Sequence, residues 1–168
     1  MNNLNFKTVW NWQHWFDGLL INQWTEENLC VLEGRNHAID VIFAAGTQIT
    51  SWYVAPFEDN HTPASGDNYA APGFTETTAI EETTRPGFQA GTVAAAVVNN
   101  SANRASFTFN AVKTIYGAAL VGGGTDANTI GDTAGGGTLF CESQFSSPEA
   151  VIIGSVLKLL VEITLSAA

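Results

Sequence analysis

The first 24 residues follow a two-residue rhythm. Trp10, Trp12 and Phe16 fall on one period-2 face of residues 9–16, and Trp15 falls on the other. The segment runs into Asp17-Gly18, a pair that tolerates positive φ at both positions and so favours a two-residue hairpin turn. Leu19-Leu20-Ile21 then restarts an apolar run, with Trp24 three residues on. A helical spacing (Trp12, Phe16, Leu19, Leu20) also fits, but the central Asp-Gly argues against it. The pattern predicts a Trp-rich β-hairpin.

Between Leu32 and Phe43 the period changes. Leu32, Asn36, Ile39, Ile42 and Phe43 recur at three- and four-residue intervals, which predicts a helix with that apolar face, and Gly46 is its stop. Strands are expected over residues 48–55, 92–98, 106–111, 113–121, 138–145 and 155–165. Two long irregular stretches separate them. Residues 56–89 hold Pro56, Pro63, Pro72 and Pro86, and residues 122–137 are nearly all Gly, Thr, Asp, Asn and Ala. Stretches this long are uncommon in compact domains, so they are expected as surface arms or contact loops. About eight strands, one short helix and no βαβ alternation predict an all-β fold. The specific expectation is an antiparallel β-sandwich, jelly-roll-like, over residues 26–168, preceded by a hairpin arm over residues 1–25.

Composition removes several functions. The chain has 168 residues, 45% of them apolar, enough for one domain with its own core. Only 13% are charged, and 6 Lys plus Arg against 16 Asp plus Glu leave a net charge of −10. So few cations cannot neutralise a run of phosphates, which argues against nucleic acid and an anionic membrane surface as partners. No apolar run approaches the ~20 residues of a membrane helix. Residues 1–7 do not read as a secretory signal. Cys30 and Cys141 are expected to be reduced and buried, with a single long-range disulfide left open.

Candidate chemistry is sparse. His14, His37 and His61 lack zinc-helix spacing; His14 is expected on the hairpin surface, His37 on the helix and His61 in a loop. The triple glycines at 122–124 and 135–137 are not followed by Gly-Lys-Ser/Thr, so a phosphate loop is not expected. Asp126 and Asp132 lack the spacing of a calcium loop. The acids Glu58, Asp59, Asp67, Glu76, Glu81 and Glu82 are expected as a solvated loop. No catalytic set, cofactor or metal is expected. The residues favoured for contacts are Trp10, Trp12, Trp15 and Trp24, which a hairpin cannot bury alone, and Arg85, a local ion-pair partner or an interface fork.

Several segments together resemble a family of small virion-associated proteins of tailed bacteriophages. They are Asn28-Leu29 through Gly34-Arg35-Asn36 to Asp40, Trp52-Tyr53-Val54, Phe74-Thr75-Glu76 and Thr84-Arg85-Pro86. Further on come Phe107-Thr108-Phe109-Asn110-Ala111, Ile115 to Val121, Gly136-Gly137-Thr138-Leu139-Phe140 and Gly154 to Leu165. The likeness runs through most of residues 28–165. It implies a structural component rather than an enzyme: a capsid decoration or cement protein, a homotrimer bound outside the major capsid protein lattice. It also implies a location on the outer capsid surface after synthesis in the bacterial cytoplasm. Residues 1–25 and the 56–89 loop would make the contacts. Two rivals stand beside it: a tail, fibre or head–fibre adaptor, and a carbohydrate-binding module stacking sugars on Trp10, Trp12 or Trp52.

Overall fold

The computed structural model describes residues 4–167 and is an antiparallel β-sandwich with one helix. The elements are β1 Leu4–Phe16, β2 Leu19–Glu27, β3 Leu29–Cys30, α1 Leu32–Phe43, β4 Trp52–Phe57 and β5 Gly87–Phe88. They continue with β6 Val97–Asn99, β7 Ala105–Thr108, β8 Lys113–Gly122, β9 Thr138–Val151 and β10 Val156–Ala167. One sheet has the order β2-β1-β10-β6, with β7 also paired to β10, and the other has the order β3-β9-β8-β4-β5. The chain therefore changes sheet four times, at β2→β3, β5→β6, β7→β8 and β9→β10. Every ladder is antiparallel.

The hairpin forms as its pattern predicts. Asp17 (φ 49°) and Gly18 (φ 74°) both adopt positive φ, the geometry that a two-residue turn needs to match strand twist. It is not a detachable arm, however. β1 lies between β2 and β10, pairing with β10 along its whole length, so residues 4–25 belong to the sandwich. Trp10 and Trp12 are fully buried in the core between the sheets, with Phe107, Leu157 and Leu159. Trp12 stacks on Trp24 at 6.0 Å and meets Phe145 edge-on at 5.0 Å. His14 shares the inward parity of Trp10 and Trp12, and a bulge that leaves Ile21 of β2 unpaired opposite the His14–Trp15 step precedes the hairpin end, where Phe16 is exposed. His14 is thus buried, not on the surface, and its Nδ1 lies 2.6 Å from Glu149 Oε1.

The 56–89 stretch is also not an arm. Its first two residues finish β4 and Gly87–Phe88 form β5, and much of the chain between them folds over the outer face of the second sheet. There Tyr69 joins Val31, Ala55, Ala119, Val121, Ala127 and Leu139 in a second apolar cluster. The second sheet is therefore covered on both faces, by the first sheet and by a layer of irregular chain. Cys30 and Cys141 sit opposite one another across β3 and β9, both buried and both free.

Candidate functional site

Helix α1 has the predicted bounds but turns a different face to the protein. Val31, Gly34, His37, Ala38 and Val41 point toward the sandwich, whereas Leu32, Ile39, Ile42 and Phe43 are exposed. Gly34 decides this. A Cβ there would collide with the backbone of Phe140, so the missing side chain lets the helix lie directly on β9. Glu33 fixes the same turn, its Oε2 accepting from the backbone N–H of Tyr69 at 2.9 Å and of Leu139 at 2.6 Å. The first turn is clamped by these bonds, and His37 and Ala38 pack behind it against Trp52 and the core. The second half of α1 projects with Ile42 60% and Phe43 81% exposed.

A second apolar patch lies at the far end of β9. The β9–β10 turn exposes Ile152 and Ile153, and the pairings Trp15↔Val156 and Lys113↔Val151 bring the hairpin tip and Val112 alongside. Leu19, Leu20 and Ile21 at that tip are exposed as well. Phe140, where α1 docks, lies beside Leu120 and Val121 of β8 and Val151 lies beside Lys113, so roughly eight residues of β8, about 26 Å of strand rise, separate the two ends. Scattered single apolar side chains on a surface are ordinary, whereas these group at two ends of the molecule.

The residues expected at contacts distribute differently. Trp10 and Trp12 present no ring face to solvent, and Trp24 is half-buried against Trp12. Trp15 is half-buried on the outer face, under Lys158 Nζ at 5.3 Å from its ring centre. Trp52 packs edge-on against Phe140 and His37.

Arg85 is buried, and its guanidinium is used within the chain rather than across an interface. Nε and NH2 fork onto Glu76 at 3.0 and 2.7 Å, NH1 donates to Tyr69 Oη at 3.1 Å and to the Ala127 carbonyl at 2.9 Å, and NH2 also reaches the Asp132 carbonyl at 2.9 Å. Tyr69 in turn donates to Asp132 Oδ2 at 2.7 Å. Burial and this carboxylate push the Tyr69 phenol up to about 12. The Tyr69 hydrogen bond holds the Asp132 carboxyl below its usual range. This knot ties the 56–89 loop to the glycine-rich 122–137 loop.

Glu81 is exposed as expected, but several other loop acids are engaged rather than merely solvated. Asp59 accepts from Thr75 N–H, Glu82 from Thr108 N–H, and Glu58 pairs with Lys113 at 2.8 Å. Asp132 organises its own turn by accepting from the N–H groups of Ala134 and Gly135. Among the described residues, His61, Asp67 and Glu142 form the group within metal-ligating reach of one another, a set the sequence spacing did not suggest. No helix among the described residues is long and apolar enough to cross a membrane. No protein-family model matches the chain, and no curated protein matches it either.

Proposed function

We propose that this chain is a phage virion structural protein, a decoration protein that binds the outside of an assembled capsid lattice and stabilises it. The observation that carries this reading is the pair of exposed apolar patches, on α1 and at the hairpin tip, at opposite ends of a rigid β-body. A protein that adheres at both ends can span neighbouring subunits of a shell. Binding only the assembled state stabilises that state by mass action. The sequence likeness to small virion-associated proteins supports the same assignment. Of the platforms a sugar-stacking module would use, Trp10 and Trp12 are inside the core and Trp52 is half-buried against Phe140 and His37.

Contacts are assigned to α1 and the tip rather than to residues 1–25 as a unit, because removing that segment would strip Trp10 and Trp12 from the core. The test uses shells of the parent phage assembled without this chain, the full-length protein and two variants, I42Q/F43Q and L19Q/I21Q. These positions are exposed, so each variant should keep wild-type stability to within about 0.5 kcal/mol per substitution. Both should lose shell binding in co-sedimentation. Undiminished binding by both variants would refute the reading. Copy number in purified virions separates the rival: hundreds of copies fit decoration, a few at one vertex fit an adaptor or fibre.

A further inference from the structure

Glu142 is the most anomalous side chain in the protein. It is fully buried at the centre of β9, and neither carboxylate oxygen has a hydrogen-bond donor. A bare carboxylate in that position costs several kcal/mol unless something positive compensates it. What faces it is His61, whose Nε2 lies 3.4 Å from Glu142 Oε2 and 3.0 Å from Asp67 Oδ2. Asp67 adds a second negative charge to the same small space. Its Oδ2 is aimed by the Ala64 backbone N–H at 2.7 Å. The His61 ring is held in place by the Phe57 and Phe74 rings at 6.2 and 6.1 Å, and the Cα of Gly73 is so close that a Cβ there would strike it.

We propose that His61 Nε2, Asp67 and Glu142 bind a zinc ion, which fastens the 56–89 loop to the outer face of the second sheet. The separations suit it. Tetrahedral zinc with N and O ligands at about 2.0–2.2 Å sets its ligand atoms roughly 3.4 Å apart. The three ligand atoms here lie within 4.8 Å of one another, with the two histidine distances close to that value. One imidazole and two carboxylates favour zinc over magnesium or calcium, which take all-oxygen shells. His61 and Asp67 are each about one-seventh exposed (14% and 15%), which leaves a route for the ion and for a water as fourth ligand. The ion's role is structural: it closes the loop layer over β9, independently of any capsid contact.

The test uses the full-length chain, stripped with chelator and titrated with zinc chloride, with magnesium and calcium chloride as controls. One zinc per chain is expected by calorimetry and elemental analysis. At a hundredfold excess over Kd, the thermal midpoint should rise by roughly 5–10 °C. E142Q keeps the side-chain volume and should abolish both effects. H61Q, at a partly exposed position, should abolish them too and serves if E142Q does not fold. The absence of a zinc-dependent shift in the wild-type chain, or an equal shift in the variants, would overturn the assignment.

Discussion

Arg85→Ala should be among the most damaging single substitutions in this protein. The guanidinium and the Glu76 carboxylate are 4% and 5% exposed and meet at 2.7 Å, and two backbone carbonyls and the Tyr69 hydroxyl complete the arginine's partners. Removing it leaves Glu76 buried and charged, with the Gly131 N–H at 2.7 Å as its remaining donor. Breaking a buried pair in this way costs about 3–5 kcal/mol. The orphaned Ala127 and Asp132 carbonyls push the loss toward the upper end. For a chain of this size, 4 kcal/mol lowers the thermal midpoint by roughly 8–16 °C. Urea unfolding followed by tryptophan fluorescence gives the free energy. Amide exchange at Gly131 and Arg85, whose N–H groups bond to Glu76 and to the Asn128 carbonyl, shows whether the loops open first. The double variant E76Q/R85M, which removes the uncompensated charge, should recover much of the loss. A cost below about 1 kcal/mol for Arg85→Ala would refute the view that this knot holds the outer layer.

Gly34→Ala pits two effects against each other. Alanine gains about 1 kcal/mol of helix propensity, but its Cβ would land on the Phe140 backbone, and overpacking costs about 1–3 kcal/mol. Net destabilisation and loss of the α1–β9 contact are expected, read from the urea midpoint and from exchange of the Leu139 amide; a stabilised variant would show that the helix does not dock there. Alkaline stability should report Tyr69. Its folded pKa of about 12 exceeds the unfolded value near 10, so the unfolded chain loses its proton first and stability falls between pH 10 and 12. The upper bound is about 3 kcal/mol, lowered by solvent screening around the half-buried Asp132. Y69F should flatten that slope, and an unchanged slope would assign it to another group.

Local patterns in the chain carried the local structure. Alternating aromatics around Asp17-Gly18 specify the hairpin, and the three- and four-residue recurrence specifies α1 at its observed bounds. The docked face of α1 does not follow from its apolar recurrence because docking is set by an absent side chain, Gly34, rather than by a large apolar one. Strand limits shifted where pairing depends on distant partners. β4 is observed at Trp52–Phe57, β6 at Val97–Asn99, and β9 continues through Pro148 to Val151. The loop layer is not legible in the sequence because its anchors are single long-range contacts: Arg85 to Ala127 and Asp132, Glu33 to Leu139, and His61 to Glu142. One signal was present. Glu142 directly follows the apolar run Leu139-Phe140-Cys141 in an expected strand, and a charged residue within a buried strand calls for a partner.

The acidic excess has an internal cause. Irregular chain that covers a sheet must still satisfy its backbone N–H groups, and without a ladder those donors need side-chain acceptors. Ionised Asp and Glu are acceptor-only, whereas Lys and Arg can only donate. Seven of the 16 acids serve in this way: Glu26, Glu33, Asp59, Asp67, Glu76, Glu82 and Asp132 each accept from a backbone N–H. Most of those amides lie in or beside the two long loops. A protein that covers one sheet face with irregular chain is therefore driven toward acids whatever it binds. Its net −10 says more about the outer layer than about a partner. The features that internal structure leaves unexplained are the apolar side chains at the two ends, Ile42 and Phe43 on α1 and Leu19 to Ile21 at the tip. Each contributes nothing to the core, and the proposed decoration role therefore puts the shell contact at these two ends and not along the acidic flanks.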